Sequence, residues 1–468
     1  MKSLLFFFLL LTFSNVKARS FTIGQSLPYQ KLSQVVNIID HGDTIFVQSG
    51  LYDNDVQVSI SKDRIVIIGD EDNKPILRAG SLISNDFSNG KGIMVIKGNH
   101  VIVRNLIFEN AHVPDRNGAG IRQEGCDLQI YNCVFRNNEM GILCGSYSDC
   151  KTTIEHCRFE ENGSNDNPGY QHNVYINHID TLIFKFNVTT NAVAEGHELK
   201  SRATFNYIAY NHILNTESID SRNIDLSNGG QAIIIGNLIE QSSQSANSNL
   251  IGFGLEGIDA TQKQELYLLN NTIVNRKNTG SFVQFPPSAL DTIVIVNNAF
   301  CGQVSNQFLG TISHMRYEYN FIGSIDEAKF QDDANLDYKI KQNSPLKDKG
   351  IQLSQQLGQF NLFPEFEIID EAHVNQRISY GQTDIGAYEF VGVDAVVTES
   401  KKDGIIFPNP SDDLLNCNDC KDGIYTILDL QGHQYQLIFH QHQTNVSHLK
   451  QGMYFLKTGL NVVNFLKK

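Results

Sequence analysis

The chain predicts a parallel β-helix followed by a small β domain, and three observations carry that reading. Between Asn105 and Asn320 a short β-branched run closes nine times on Asn or His: Asn105, Asn132, His156, Asn187, Asn211, Asn237, Asn271, Asn298 and Asn320, at spacings of 27, 24, 31, 24, 26, 34, 27 and 22 residues. Runs such as VIVRNLIF, LQIYNCVF, AIIIGNLIE and VIVNNAF are too short and too rich in Val and Ile for helices. One such strand cannot bury its own apolar face, so successive coils must stack and share a core. Stacking sets equivalent residues roughly 4.8 Å apart, so Asn side chains at one corner can bond in a ladder, and Asn132, Asn211 and Asn237 are expected at equivalent corners. The alternative, an antiparallel sandwich, needs two-residue Asn-Gly-type turns that are scarce here.

Residues 1–18 read as a secretory signal: a lysine near the start, the apolar stretch LLFFFLLLTF, and Val16-Lys17-Ala18 as a small-residue cleavage pattern. The apolar stretch is shorter than the roughly 20 residues of a membrane span, and no later segment is long or apolar enough to cross, so the mature chain carries no transmembrane segment. In KLSQVVNIID, Leu32, Val35, Val36 and Ile39 fall at helical spacing, as for an amphipathic helix capping the solenoid. The stretch after it, with Gly42-Asp43-Thr44-Ile45 and Ser49-Gly50-Leu51-Tyr52, resembles the opening coil of exported right-handed β-helix proteins of the pectate-lyase-like superfamily. At the far end, SPLKDKG (Ser344 to Gly350) and DIGAYEF (Asp384 to Phe390) resemble the closing segment of that superfamily. The resemblance implies a right-handed parallel β-helix over 19–392.

Residues 393–402 read as a linker, and 403–468 as a β-sandwich-like domain. Pro408-Asn409-Pro410, Asp429 with Gly432, and Leu449, Gly452 and Tyr454 ahead of a basic end closely resemble the C-terminal sorting domain of bacterial type IX secretion. That resemblance implies the type IX machinery as a partner, a Bacteroidetes-type host, and a secreted or cell-surface destination.

The formal net charge of −14 and the lack of a basic run argue against nucleic acid as a partner. A polyanion would need a local basic patch. The chain is read as a monomer, since a solenoid completes its own core coil by coil. Cys126 and Cys150 are 24 residues apart, as are Cys133 and Cys157, one coil length, so each pair is within disulfide reach or forms stacked thiols. Cys417 and Cys420 show no zinc pattern with the others, and no phosphate loop, dinucleotide fingerprint or HExxH is present, so no cofactor is indicated.

Between the Asn-terminated strands lies a second set: GAGIRQEG, MGILCGS, HNVYINH, HELKSRA, RNIDLSN, IGFGLEG and SFVQFPP. With Ile121, Val174, Leu199, Ile224 and Leu255 inward, alternation turns Arg122, Glu124, Tyr175, Asn177, Lys200, Arg202, Asp225 and Glu256 outward. Lys200 and Arg202 share a strand face, and two adjacent cations cost energy unless an anion joins them. Either they pair with Glu198, Glu256 or Asp225 as a surface network, or they wait for an anionic ligand in a groove along the coils.

The stretch containing GHELKSRA, IDLSNGGQAIIIGNLIEQ, GFGLEG and LLNNTIVN is similar to exported bacterial β-helix proteins whose superfamily includes polysaccharide lyases acting on uronate polymers. β-Elimination needs a group that neutralises the C5 carboxylate, a base for the C5 proton and an acid for the leaving oxygen. The catalytic candidates are Lys200, Arg202, Tyr175 and His197. Arg202 offers the fork that a carboxylate needs. Its charge disfavours a proton on Lys200, the candidate base, and Tyr175 or His197 is the candidate acid. Arg122, Asn177, His172, Asp225 and Glu256 are candidate substrate-binding residues for an acidic polysaccharide, and His172 and His197 could equally be turn residues bonded to backbone. A glycoside hydrolase would instead use Asp225 and Glu256 with Glu124 or Asp220. The same carboxylates could hold Ca²⁺, although no dedicated loop is present. The third reading is a glycan-binding surface protein without catalysis.

Overall fold

The computed structural model describes residues 18–83, 91–379, 381–391, 406–407, 413–417, 420–429, 434–458 and 461–467. The chain divides into two compact units, Met1–Phe390 and Val391–Lys468. The secretory signal up to Lys17, the linker, and Pro408, Asn409, Pro410 and Gly432 lie outside the described residues.

The first unit is a right-handed parallel β-helix. Sheets of 12, 10 and 11 parallel strands run along it, and each coil gives one strand to each, as with Phe205–Ala209, His212–Leu214 and Ile224–Leu226. Alternation sends every second residue inside, so Ile154, Phe184, Ile208, Ile234, Leu268 and Ile295 form one fully buried column across six coils. On another sheet Phe108, Phe135 and Phe159 stack with ring centroids 5.1 and 4.9 Å apart.

The Asn corner is two adjacent positions, not one. The first is left-handed: Asn105, Asn132, His156, Phe186, Tyr210, Gly236, Asn270, Asn297 and Tyr319 all have φ between 49° and 65°. The second points inward and holds Leu106, Cys133, Cys157, Asn187, Asn211, Asn237, Asn271, Asn298 and Asn320. Asn132 therefore sits one residue short of the corner shared by Asn211 and Asn237. Sequence spacing blurs the two because Asn suits both, tolerating positive φ and offering a donor and an acceptor. From Asn187 to Asn298 each buried Nδ2 donates to the Oδ1 of the next coil at 2.9–3.1 Å, and Asn320 is the last acceptor. Each Oδ1 also accepts a backbone N–H from the coil before, as Asn237 does from Asn211. Asn237→Ala strands amides on both sides of the rung in a dry core, and equilibrium unfolding should show a loss of at least about 3 kcal/mol. A loss below about 1 kcal/mol would refute a stabilising ladder.

The N-terminal cap differs from the expected helix. Leu32, Val35 and Ile39 are buried, but only Leu32–Gln34 is helical, as a single 3₁₀ turn. Paired valines and so short a run do not meet the cost of helix nucleation. The Asp55 carboxylate accepts the Leu32 N–H at 2.6 Å and fastens the turn. Cys126 and Cys150 form a disulfide, whereas Cys133 and Cys157 are buried free thiols.

After its last coil the chain returns along the solenoid. Phe360 stacks on Tyr207 at 4.4 Å, and Leu353, Leu362 and Phe366 cover the apolar outer face of the 12-stranded sheet. Ile385, Ala387 and Tyr388 of DIGAYEF cover Leu214, Leu238, Val274 and Ala299 on the 11-stranded sheet. These return segments pack on two sheets, and the polar row lies on the third. The second unit pairs antiparallel sheets of three and four strands around Leu415, Ile427, Leu437, Leu449 and Tyr454, and Cys417 and Cys420 are disulfide-bonded.

Candidate functional site

Parallel register lines up the outer face of the ten-stranded sheet. Arg122, Leu143, Tyr175, Lys200, Asp225 and Gly252 occupy one row, each one coil beyond the last. Their inward neighbours are Ile121, Val174, Leu199, Ile224 and Ile251, all fully buried. Leu255 is not the inward residue of its coil. The strand there is Asn249–Phe253, and Gly254, at φ 68°, turns the chain out of it. Glu256 consequently stands on a turn, with its backbone N–H on Ser227 O at 2.9 Å, and reaches back over the row.

Lys200 and Arg202 are gathered with two carboxylates. Lys200 Nζ lies 2.8 Å from Asp225 Oδ2 and 2.5 Å from Glu256 Oε1, and only 8% of Lys200 is exposed. Arg202 donates to the other Glu256 oxygen, to Tyr175 Oη at 3.0 Å and to Asn228 Oδ1 at 2.6 Å. Glu256 thus bridges the two cations. Asp225 is almost wholly buried: burial alone would raise its carboxyl, but the Lys200 and Arg222 cations beside it hold it well below the usual range. Burial opposes the ionised form of Glu256 too, and the bonds from Lys200 and Arg202 outweigh it and lower its carboxyl.

His172 and His197 stack at 5.0 Å on adjacent coils. His172 Nδ1 accepts the His197 N–H and His197 Nδ1 accepts the Arg222 N–H, both at 3.0 Å, which leaves the ring proton on Nε2. His197 Nε2 faces Asp225 Oδ2 at 3.6 Å, and burial pushes this imidazole down to about 4, so it is neutral there. No bulge brings His197 onto the row, because Leu199, Lys200 and Ser201 pair regularly with both neighbouring strands. Asn177 turns its Oδ1 to the backbone and ring of His178. Arg122 pairs with Glu124 at 3.5 Å and is separated from Tyr175 by Leu143, so neither Arg122 nor Glu124 joins the cluster.

Arg222, Ser227 and Asn228 belong to the site and were not singled out by sequence. Arg222 Nη1 is 3.6 Å from Asp225 Oδ1, and its side chain lies over Gly252, where an added Cβ would meet Arg222 Cδ at 2.9 Å. The signal was legible: His172, His197 and Arg222 each stand three residues before a member of the row. Beside Arg202 opens a cavity of about 390 Å³ lined by His178, Thr204, Asn228, Glu256, Asp259 and Gln262.

Glu198 and Asp220 are not partners of the cations. Glu198 accepts from Asn173 Nδ2 at 2.6 Å and from the Ala192 N–H at 2.7 Å, inside the coil, while Asp220 is held by Asn215 and Ser245. Burial first, and then Asp220, push the Glu198 carboxyl from 4.5 up to about 8. The folded state therefore keeps a proton that the unfolded chain gives up. That stability is fully present below about 4.5 and is lost as pH rises through about 8. Glu198→Gln should flatten the decline of unfolding free energy across this window, and an unchanged slope would refute the assignment. Among the described residues no group of three or more His, Cys, Asp or Glu is arranged to hold a metal ion. Asp225 and Glu256 face cationic side chains, surroundings that repel Ca²⁺.

Residues 405–468 match the family of secretion system C-terminal sorting domains. The tail is a sorting domain. Type IX export and a secreted or cell-surface location follow, and no helix among the described residues is long and apolar enough to cross a membrane. Residues 25–145 match the pectinesterase family, a stretch that ends before the Lys200 cluster begins. No curated relative matches the chain in sequence. Pectate lyase Pel9A is similar in fold, with 12% identity and a TM-score of 0.54, over 81% of this chain and 98% of its own. A rhamnogalacturonan lyase follows at 11% identity and TM-score 0.44, covering 67% of this chain and 91% of its own. A mannuronic acid specific polysaccharide lyase from human gut microbiota gives 14% identity and 0.39, over 65% and 82%. The likeness to Pel9A is one of fold, a parallel β-helix.

Proposed function

We propose that the exported protein is a polysaccharide lyase that cleaves uronate polymers by β-elimination. The observation that carries this is the Lys200–Arg202 pair, two cations nearly withdrawn from water on the outer face of one β-helix sheet and joined by a carboxylate. A uronate carboxylate is the polymer-borne group that fits such a seat. Arg202 engages it and stabilises the charge that spreads onto it as C5 loses its proton. Lys200, after giving its own proton to solvent, takes that proton, the C4–O bond breaks as C4=C5 forms, and Tyr175 Oη gives its proton to the departing oxygen. Asp225, backed by His197 and Arg222, holds Lys200 in place.

The carboxylates weigh against the hydrolase reading. A glycosidase needs one carboxyl that is protonated near neutral pH, whereas Asp225 and Glu256 are both lowered, and the raised pair, Glu198 and Asp220, is buried off the row. The test is to incubate the mature protein with pectate, alginate, glucuronan and glycosaminoglycans. Ultraviolet absorbance from the new C=C supports the lyase. Reducing ends without absorbance favour a hydrolase, and binding without either favours an adhesin.

A further inference from the structure

We propose that Glu256 is a built-in stand-in for the substrate: its carboxylate occupies the seat that a uronate carboxylate takes, and binding expels it. The inference rests on the uronate reading above and adds to it a residue that sets affinity and charge selectivity. Asp225 and Glu256 both contact Lys200, but they are held very differently. Asp225 is on a sheet strand, 1% exposed, bonded to Lys200 and Ser227, and flanked by His197 and Arg222. It is a permanent counterion.

Glu256 stands on a turn between Gly254 and Gly257, both at positive φ, and a Cβ added at Gly257 would touch nothing within 4 Å. Its side chain is 45% exposed, and its carboxylate contacts are those with Lys200 and Arg202. Rotation about its own side-chain bonds frees both oxygens into the adjoining cavity and leaves the turn in place. The cluster then holds three cations, Lys200, Arg202 and Arg222, against one carboxylate. An incoming uronate restores the balance by exchanging one carboxylate for another. A neutral sugar cannot, because it would leave two nearly buried cations short of a counterion. The exchange also replaces the enzyme's own side-chain carboxylate by one fixed to the polymer, which sets the scissile sugar beside Lys200 and Tyr175.

While Glu256 holds the seat, apparent affinity is reduced by the fraction of molecules in which the seat is free. Removing the competitor removes that penalty. Isothermal titration of the full mature protein with oligogalacturonate, oligomannuronate and oligoglucuronate should show Glu256→Ala binding its uronate roughly tenfold more tightly than wild type, with Glu256→Gln between them. In turnover, KM should fall in both variants. Because unsharing the cations costs folding stability, the same oligomer should also raise the melting temperature of the variants more than that of wild type. Unchanged or weaker binding by both variants, with wild type still forming unsaturated product, overturns the role of Glu256 alone. Collapse of kcat with unchanged affinity overturns it too and makes Glu256 an acid or base. If no uronate oligomer binds wild type or either variant, the uronate reading itself falls and takes this inference with it.

Discussion

Arg202→Lys is expected to cost roughly 10²-fold or more in turnover of the uronate polymer while the protein folds as before, the scale seen when one aimed donor to developing charge is lost. The charge survives the change, so Glu256 keeps a cationic neighbour. The planar fork does not survive, and with it go the simultaneous bonds to Tyr175 and Asn228 that aim the guanidinium. Lys200→Ala should lose activity on a similar scale by removing the base. It will not melt like wild type, as a surface lysine would, because Lys200 is buried against Asp225. Lys200→Ala with full activity would eliminate the lysine base, and Arg202→Lys with full activity would eliminate carboxylate capture by the fork.

The second large effect is on stability. Asp225→Ala should destabilise the β-helix by about 3–5 kcal/mol, since it leaves buried cations without their permanent counterion. Asp225→Asn keeps the shape and the bond from Ser227 and separates charge from packing: a similar loss in Asn locates the cost in charge. The depressed Asp225 carboxyl contributes stability that is present above its ordinary value of 3.8 and is lost as pH falls toward its folded value. Acid unfolding of wild type should therefore be steeper below that value than in Asp225→Asn. Equal acid limbs, or a loss under about 1 kcal/mol in Asp225→Ala, would show the network to be solvated and weak.

Much of this was legible because a solenoid writes its fold as a period. The Asn and His closures marked the coils, and alternation put Tyr175, Lys200 and Asp225 on one outer row from spacing alone. The sequence misled where a side chain suits two environments or where glycine ends a strand. Asn132 and Asn211 read alike, although one takes the left-handed position and the other the ladder beside it. GFGLEG reads as a strand like its neighbours, but Gly254 turns the chain and moves Glu256 from the sheet to a turn. Charge pairing was the least legible. Nothing in the order of residues says that Glu198 faces the interior while Glu256, 56 positions from Lys200, bridges it to Arg202.

The ladder also divides the solenoid into two differently fastened lengths. Its amide spine begins at Asn187, and the coils before it carry Cys133 and Cys157 at that position and are secured by stacked phenylalanines and the Cys126–Cys150 crosslink. A second amide series, Asn138 to Asn162 to Asn173, runs through those earlier coils at another corner and passes to Glu198 across the boundary between the coils of Cys157 and Asn187, so directional bonds continue where the first spine stops. Lys200, Arg202 and Asp225 lie just past that boundary, where the two series overlap, so the coils that set the spacing of these charges are tied on both sides.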